Sequence, residues 1–333
     1  MDIAFFDTHT YDRQAFERAN ALRHHTFRFL EPRLTQTTAP LAIGAPVVCA
    51  FVNDSLDAGT LRVLHDGGTR CIALRSAGYN HVDLEAAAAL GMPVVRVPEY
   101  SPHAVAEHAM ALVLALDRKI HRAYNRVREA NFSLEGLVGF DLHGKTFGIV
   151  GLGRIGRALA RIARGFGCRI LATDAHPDPA LTNELGVTFV DADTLHAESD
   201  VISLHVPLTP QTHHMIDAAA IARMKRGVML INTSRGALVD ARALVDALKS
   251  GAVGAAGLDV YEEEGPLFFR DLSMLPLQDD VLARLLTFPN VLVTSHQGFL
   301  THEALDSIAD VTLASVDAFA RGDALVHRVT TGG

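Results

Sequence analysis

Short apolar runs alternate with longer segments of helical period along the first part of the chain. The runs lie at residues 3–6, 47–51, 71–74 and 93–95. This alternation predicts strands joined by helices, and strands connected in that way run parallel. The third run ends in Ser76-Ala77-Gly78. Loops at the carboxyl ends of such strands are where open α/β sheets bind ligands, so this turn is a candidate substrate wall.

The pattern changes at V-P-E-Y-S-P, which precedes a long periodic segment at 103–130. Ser101 is the predicted N-cap of this helix, with Pro102 at its first position. A second β/α series follows from Thr146 to about Ser295, and a last helix is predicted at 301–321, after Gly298. A chain of 333 residues exceeds the usual size of one hydrophobic core, so we predict two domains.

The composition excludes several classes of protein. The net charge of -8 provides no overall attraction to nucleic acid or to anionic lipid. No apolar run approaches the roughly 20 residues that a membrane span needs. The N-terminus lacks the basic region of a signal peptide. Cys49, Cys71 and Cys168 lie far apart in apolar stretches and are predicted to be reduced core thiols. We therefore expect a cytoplasmic protein.

A nucleotide-binding motif opens the second series. The predicted strand at 147–150 leads directly into G-L-G-R-I-G, which begins a helical pattern. Gly151 permits the tight turn, Gly153 allows the pyrophosphate to approach the backbone, and Gly156 allows the helix to pack on the sheet. The free N–H groups of the helix N-terminus favour phosphate there.

The identity of the dinucleotide depends on Asp174. This residue ends the next apolar run, about 20 residues after the glycines, where an acid can accept hydrogen bonds from the adenosine ribose. An acid at that place repels a 2'-phosphate, so NAD is favoured over NADP. The alternative is a turn aspartate before Ala175-His176-Pro177.

Three predicted strands are followed by residues suited to hydride transfer on a 2-keto acid. Arg235 follows the run at 228–232 and can bind a carboxylate with two hydrogen bonds. Glu264 follows the run at 254–258, within a Glu-Glu-Glu triplet. His296 follows the run at 291–293 and can act as an acid in reduction and as a base in oxidation. A carboxylate on its second ring nitrogen would orient it.

Each of these residues also has a simpler interpretation when it is taken alone. An arginine after a strand is often a surface cation, a glutamate triplet is often a solvated loop, and the chain has 17 histidines. Glu262 and Glu263 compete with Glu264 for the role of histidine partner. The appearance of all three residue types after strands that follow a nucleotide motif favours the catalytic interpretation.

Several motifs together resemble the D-2-hydroxyacid dehydrogenase family over nearly the whole chain. They are R-S-A-G-Y-N at 75–80, P-E-Y-S-P-H-A-V-A-E-H-A at 98–109, G-L-G-R-I-G at 151–156, H-V-P-L-T at 205–209, I-N-T-S-R-G at 231–236, G-L-D-V-Y-E at 257–262 and T-S-H-Q-G-F at 294–299. One departure is Ser295, where many members of the family carry proline before the histidine.

The resemblance implies a fold, a cofactor and a set of site residues. It implies a Rossmann-type NAD domain at 101–298, inserted into a flavodoxin-like substrate domain at 1–100 and 299–333. It also implies a homodimer through the helix after Pro102. Arg235, Glu264 and His296 are the implied catalytic residues. The implied NAD-binding residues are Gly151, Gly153, Arg154, Ile155, Gly156, Asp174, His205, Val206, Pro207, Thr212, Thr233, Ser234 and Asp259.

Within the family, the stretch at 261–299 is similar to the fermentative branch that reduces pyruvate to D-lactate. By that likeness Ala77 and Gly78 offer backbone donors to the substrate carboxylate, Tyr100 reaches it through its hydroxyl, and Phe299 limits the space for the substrate side chain. Tyr100 and Phe299 could equally be packing residues. Glyoxylate, hydroxypyruvate and branched keto acids stay open as alternative substrates.

Two other classes of function are alternatives. A non-catalytic NAD(H)-sensing scaffold could retain every motif, although the chain shows no long recruitment extension. A metal enzyme is disfavoured, because His24-His25 and His213-His214 are adjacent pairs without the spacing that brings ligands together. The sequence therefore predicts no metal site.

Overall fold

A computed structural model describes residues 1–330, which form two compact units. The first unit comprises Met1–Ser101 and the segment that begins at Leu300, and the second comprises Pro102–Phe299. Each unit contains helices and one sheet, and nearly all paired strands are parallel. The predicted fold class is confirmed.

The first unit contains a six-stranded sheet in the order β13-β5-β4-β3-β1-β2. The strands are β1 (Asp2–Phe5), β2 (Thr26–Phe29), β3 (Val47–Ala50), β4 (Cys71–Leu74), β5 (Val94–Val95) and β13 (Arg328–Val329). The order of the parallel strands, 2-1-3-4-5, is that of flavodoxin-like sheets. β13 is antiparallel to β5. The apolar pattern did not predict β2, since this edge strand alternates exposed and half-buried residues.

Four helices pack around this sheet: α1 (Thr10–Asn20), α2 (Ala58–Asp66), α3 (Leu84–Ala89) and α12 (His302–Arg321).

A buried arginine, Arg75, lies at the carboxyl end of β4. The Arg75 guanidinium lies 4.5 Å from the ring centres of both Phe5 and Phe51. Its Nη2 donates to the Asp7 carbonyl at 2.6 Å. Arg75 thus anchors the start of the Ser76-Ala77-Gly78 loop to the neighbouring strand exits.

The second unit contains a seven-stranded sheet in the order β12-β11-β10-β9-β6-β7-β8. The strands are β6 (Thr146–Val150), β7 (Arg169–Thr173), β8 (Val187–Phe189), β9 (Val201–Leu204), β10 (Val228–Asn232), β11 (Val253–Leu258) and β12 (Val291–Val293). Every pair is parallel. The order reverses between β6 and β9, as in Rossmann folds, which bind their ligands at that crevice.

Helices cover both faces of this sheet, and one prediction about them was wrong. The helices are α4 (Pro102–Asp117), α5 (Ile120–Arg128), α6 (Arg154–Gly165), α7 (Ala180–Leu185), α8 (Ala192–Glu198), α9 (Ala218–Arg223), α10 (Ala241–Ser250) and α11 (Asp280–Leu286). The long helix predicted at 103–130 is broken at Lys119, which has a φ of 51°. The Lys119 ammonium donates to the Val138 carbonyl at 2.5 Å, which holds this left-handed residue in place.

All three cysteines are buried free thiols, as the sequence predicts. Burial raises the pKa of Cys49 to about 12, and it does the same for Cys71. Both thiols are therefore neutral and unreactive at physiological pH. Within residues 1–330, no helix has the length and apolar character needed to cross a bilayer.

Candidate active site

The predicted catalytic residues lie on three loops at one edge of the second unit's sheet. Arg235 follows β10, Glu264 follows β11 and His296 follows β12. These three strands are neighbours and run parallel, so their carboxyl ends face the same side. The sheet order brings together loops that are far apart in the chain.

His296 and Glu264 form a short hydrogen-bonded pair. The His296 Nδ1 lies 2.7 Å from the Glu264 Oε1, and the two side chains are 18% and 17% exposed. The second oxygen of Glu264 accepts the Tyr261 N–H at 3.0 Å. Because Nδ1 is engaged by the carboxylate, Nε2 is the ring atom available to a substrate. A proton carried on that nitrogen would be stabilised by the carboxylate behind it.

The three consecutive glutamates have different surroundings. The Glu262 carboxylate lies 3.0 Å from the Nε2 of His214, and the Glu263 residue is exposed. In the described residues, Glu264 is the member of the triplet that contacts His296. In the turn after β11, the Glu264 N–H donates to the Tyr261 carbonyl at 3.3 Å. This turn directs the side chains of Glu262 and Glu264 to different histidines.

The loop that carries His296 is organised around Asp259. The Asp259 Oδ1 accepts the Thr294 hydroxyl at 2.5 Å and the Gln297 N–H at 2.8 Å, and its Oδ2 accepts the Gly298 N–H at 2.8 Å. The Asp259 carbonyl accepts the His296 N–H at 2.7 Å. These contacts hold His296 at a φ of 52°, in the left-handed region that non-glycine residues adopt infrequently.

The charge on Asp259 is stabilised although the side chain is buried. Burial is the largest influence and raises the pKa of this carboxyl, but hydrogen bonds from His108 and Thr294, together with the charges of His108 and His296, bring it below its ordinary value. The sequence predicted Asp259 only as an NAD-binding residue. The structure adds a second role for its carboxylate, which is to hold the His296 loop.

His108 lies beside the proposed catalytic pair, although the sequence did not predict it as a site residue. Its Nε2 lies 3.3 Å from the Asp259 Oδ1 and 3.1 Å from the Thr294 Oγ1. His108 lies on α4, far in sequence from both partners. The only signal was its place in the motif at 98–109, because the contact depends on the packing of α4 against the sheet.

The loop that carries Arg235 is held by hydrogen bonds from Asn232 and Ser234 and by a close backbone contact at Gly236. The Asn232 side chain donates to the Arg235 carbonyl at 2.8 Å, and the Ser234 hydroxyl donates to the Val206 carbonyl at 2.6 Å. Glycine is required at 236, because a Cβ there would lie 2.0 Å from the carbonyl carbon of Tyr261. The Arg235 loop and the Glu264 loop are thus in direct backbone contact.

The glycine turn between β6 and α6 has the geometry that a dinucleotide requires. Gly151 has a φ of 91°, and a Cβ there would lie 2.5 Å from the His205 carbonyl oxygen. A Cβ at Gly156 would lie 2.0 Å from the Gly151 carbonyl oxygen, whereas a Cβ at Gly153 would meet no atom within 4 Å. Two glycines therefore close the turn, and the third leaves open space beside the N-terminus of α6. The residues fit a bound pyrophosphate.

Asp174 lies against this turn. Its Oδ2 accepts the Leu152 N–H at 2.6 Å and its Oδ1 accepts the His176 N–H at 2.8 Å. The second contact is the turn interaction that the simpler interpretation expects, and the first links the carboxylate to the glycine turn. Arg154 and Ile155 form the first turn of α6 beside it. The ribose contact stays a prediction.

The remaining residues predicted to bind NAD lie at the exits of β9 and β10. Burial lowers the pKa of His205 to about 4, and its Nε2 lies 2.8 Å from the Ser203 hydroxyl. The Thr212 hydroxyl donates to the Pro207 carbonyl at 2.7 Å. The buried hydroxyl of Thr233 has no hydrogen-bond partner among residues 1–330, so it is available to a ligand. This unsatisfied group also fits a cofactor at the switch point.

Three of the residues predicted to bind substrate belong to the first unit. Ala77 and Gly78 lie in the loop after β4, where the Ser76 hydroxyl donates to the Gly78 carbonyl at 2.8 Å and Arg96 donates to the Ala77 carbonyl at 2.8 Å. Tyr100 lies just before the end of this part of the unit. Phe299 ends the second unit. Their contacts with a substrate stay predictions.

Comparison with known proteins finds chains that are similar over nearly the full length. The family model described as D-isomer specific 2-hydroxyacid dehydrogenase, NAD binding domain, matches residues 110–298. The 2-hydroxyacid dehydrogenase homolog 1 of Schizosaccharomyces pombe is 53% identical over 321 residues, which cover 96% of each chain. The D-lactate dehydrogenase of Escherichia coli is 50% identical over 323 residues, covering 97% of this chain and 98% of that protein.

Solved structures show the same similarity. The apo-structure of the Escherichia coli D-lactate dehydrogenase has a TM-score of 0.91 at 48% identity and covers 99% of this chain and 100% of that one. A D-lactate dehydrogenase from Aquifex aeolicus, solved with NAD and lactic acid, has a TM-score of 0.86 at 32% identity, with coverage of 99% and 100%. The family resemblance noted in the sequence is confirmed.

Proposed function

Because the chain belongs to the D-isomer specific 2-hydroxyacid dehydrogenase family, whose NAD-binding domain it contains, we propose that it reduces pyruvate to D-lactate reversibly. The observation that carries the proposal is the His296–Glu264 pair, with 2.7 Å between Nδ1 and Oε1. The loops of His296, Glu264 and Arg235 follow three neighbouring strands. The Escherichia coli relative named D-lactate dehydrogenase supports the choice of substrate.

His296 is the proposed acid and base. In keto-acid reduction, its Nε2 donates a proton to the carbonyl oxygen as the carbon becomes tetrahedral, and in the reverse direction it accepts that proton from the hydroxyl. Glu264 stabilises the imidazolium in either direction through Nδ1. Asp259 and His108 keep the loop in place, so the ring is already oriented before substrate arrives.

Arg235 is the proposed carboxylate site. A guanidinium can bind both oxygens of a 2-keto acid carboxylate, which fixes the orientation of the carbonyl relative to His296. Arg235 is half-buried, and its loop has a hydrogen-bonded backbone, so the guanidinium moves less and the substrate carboxylate is held in one orientation. Ala77, Gly78 and Tyr100 are proposed to contact the same carboxylate, with Phe299 limiting the side chain to about the size of a methyl group.

NADH supplies the hydride when bound. The proposed cofactor site is the turn of Gly151, Gly153 and Gly156 with the exits of β9 and β10. Asp174 is proposed to select NADH over NADPH by repelling a 2'-phosphate. In this proposal residues 101–298 hold the cofactor, and residues 1–100 with 299–333 form the substrate domain.

The test is the oxidation of NADH by the purified full chain with a panel of keto acids. Pyruvate is expected to give the highest kcat/KM, ahead of glyoxylate, hydroxypyruvate, 2-ketobutyrate and 2-ketoisocaproate, with NADPH far less effective. Highest kcat/KM with a bulky keto acid would reject pyruvate but keep the acid–base assignment. NADH binding without turnover on any keto acid would reject the enzyme and favour an NAD(H) sensor.

The product of the pyruvate reaction distinguishes the stereochemistry. It is analysed by chiral chromatography or by a stereospecific lactate assay. D-lactate is the expected product. L-lactate would contradict the proposed arrangement of substrate between Arg235 and His296.

We also propose that the protein is a homodimer through α5. Ile120, Tyr124 and Val127 lie on this short helix at helical spacing and are 56%, 58% and 53% exposed in the single chain. Phe132, Leu134 and Val138 in the following segment are more exposed still. Such an apolar surface is typical of a subunit interface. Light scattering should give twice the chain mass, and Ile120→Asp should produce monomers. A monomeric parent protein would reject this proposal.

The three buried, free thiols support a reducing compartment, as in the cytoplasm.

A further inference from the structure

Two adjacent histidines and a glutamate converge outside the proposed catalytic pair. The Nε2 of His214 lies 3.0 Å from the Glu262 Oε1, and the Nε2 of His213 lies 3.8 Å from the same oxygen. One donor atom from each residue lies within 4.8 Å of the other two. We propose that His213, His214 and Glu262 bind one divalent transition-metal ion, with Zn²⁺ as the best fit.

Two of the three ligand separations lie close to those of a tetrahedral zinc ion. Zinc binds histidine nitrogen and carboxylate oxygen at about 2.0–2.1 Å, so tetrahedral ligands lie about 3.3 Å from each other. The two measured separations from the Glu262 oxygen, 3.0 and 3.8 Å, fall on either side of that value. The two imidazole rings are stacked with centres 4.0 Å apart, and the Nε2 atoms of both lie within 3.8 Å of the same Glu262 oxygen. Because the lone pair of each nitrogen lies in its ring plane, the two stacked rings must rotate apart to bind one ion, and both side chains are exposed enough to do so.

The backbone presents the two histidines together. The His213 N–H donates to the Thr209 carbonyl at 2.9 Å, and the His214 N–H donates to the Ala237 carbonyl at 2.8 Å. His214 has a φ of 49°, in the left-handed region. This reversal of the chain turns the side chains of consecutive residues to one side. In an extended strand, neighbouring side chains would point to opposite faces.

Glu262 reaches the pair because two loops approach closely. A Cβ at Gly236 would lie 2.3 Å from the Glu262 backbone nitrogen, so the loop after β10 is in contact with the loop after β11. The Ala237 carbonyl that accepts from His214 belongs to the same segment. The third ligand therefore comes from a distant part of the sequence, which explains why the spacing of the histidines predicted no metal site.

The chemistry of the donors favours zinc over magnesium. Two imidazole nitrogens and one carboxylate suit Zn²⁺, Co²⁺ or Ni²⁺, whereas Mg²⁺ prefers oxygen ligands alone. The side chains of His213, His214 and Glu262 are 52%, 33% and 28% exposed, so an ion can enter and water can complete the coordination. In the absence of metal, His214 donates a hydrogen bond to Glu262, and the ion would replace that proton.

The chain contains a natural comparison in its other adjacent pair. The His25 Nε2 lies 3.0 Å from the Asp317 Oδ1, but that carboxylate also accepts a hydrogen bond from Arg23 at 3.2 Å. His24 does not join this group as a third metal donor among residues 1–330. A cation beside Asp317 opposes metal binding by repulsion. The pair at 24–25 is therefore a matched control for the pair at 213–214.

The experiment is a zinc titration of the full-length, chelator-treated protein by competition with a chromophoric chelator, at about pH 7.5, where histidine is largely neutral. We expect one ion per chain that millimolar Mg²⁺ does not displace. His214→Gln and Glu262→Gln should each weaken binding at least about tenfold, since even outer-shell changes have effects of that size. His25→Gln should leave the affinity unchanged. Circular dichroism and NADH binding confirm that each variant is folded.

Three results would overturn the proposal. The first is a parent protein that binds no stoichiometric zinc in the titration, and the second is equal zinc affinity in the parent and in both His214→Gln and Glu262→Gln. The third is loss of the ion in His296→Gln with retention in His214→Gln, which would place the zinc at the proposed catalytic pair. A rise in Tm with zinc that is absent from His214→Gln gives an independent readout that needs no turnover.

Discussion

The contact between the Arg235 loop and the Glu264 loop predicts a sharp effect of Gly236→Ala. A Cβ at 236 would lie 2.0 Å from the Tyr261 carbonyl carbon and 2.3 Å from the Glu262 nitrogen. Ordinary contact begins at 3.4 Å, so the two backbones must separate by 3.4 − 2.0 = 1.4 Å. Backbone atoms on both sides leave no flexible side chain to yield.

The magnitude follows from that displacement. A misplacement of about 1 Å in a catalytic group reduces the rate on the order of 100-fold, which corresponds to about 2.7 kcal/mol in the barrier. Overpacking of a tight contact also destabilises a fold by roughly 1–3 kcal/mol. We therefore expect kcat/KM for pyruvate to decrease about 100-fold, and the free energy of unfolding to decrease by roughly 1–3 kcal/mol.

The assay compares steady-state NADH oxidation and urea unfolding of Gly236→Ala with those of Gly265→Ala. Gly265 lies on the same loop as Glu264, but a Cβ there would meet no atom within 4 Å. The control should retain activity within about threefold, since the new methyl group points into open space. Parent-like kcat/KM in Gly236→Ala, measured on folded protein, would refute the argument that this backbone contact positions the catalytic loops.

Three further predictions concern single side chains. His296→Gln removes the proposed acid, so turnover should collapse while the Kd for NADH, measured by fluorescence, stays unchanged; retained turnover would remove His296 from that role. Asp174→Ala removes the charge that opposes a 2'-phosphate, so the ratio of kcat/KM for NADH to that for NADPH should decrease, and an unchanged ratio would favour the turn interpretation. Burial lowers the pKa of His205 from 6.5 to about 4, so the unfolded chain binds a proton here that the folded chain does not as the pH falls through that window. Because each pKa unit is worth about 1.4 kcal/mol, this residue removes about 3 kcal/mol of stability between those limits. The free energy of unfolding in urea should therefore decrease less for His205→Gln than for the parent between pH 6.5 and about 4. Identical pH profiles of the two proteins would contradict the assigned titration.

The sequence alone was sufficient for the features that are encoded locally. The G-L-G-R-I-G turn, the acid that follows it and the residues just after each apolar run depend on short-range backbone geometry, so their order along the chain predicts their place on a parallel sheet. The alternation of strands and helices likewise predicted the α/β class. The edge strand β2 and the break at Lys119 were missed, because neither an alternating edge strand nor one left-handed residue leaves a strong hydrophobic pattern.

The tertiary structure decided which side chains meet. Three consecutive glutamates are equivalent in composition, but the turn after β11 directs Glu264 to His296 and Glu262 to His214. The contact of His108 with Asp259 depends on the packing of α4 against the sheet. The proposed metal site likewise requires two loops that only the strand order brings together. Such contacts join residues far apart in sequence, and their geometry is set by the assembled sheet and helices rather than by local spacing.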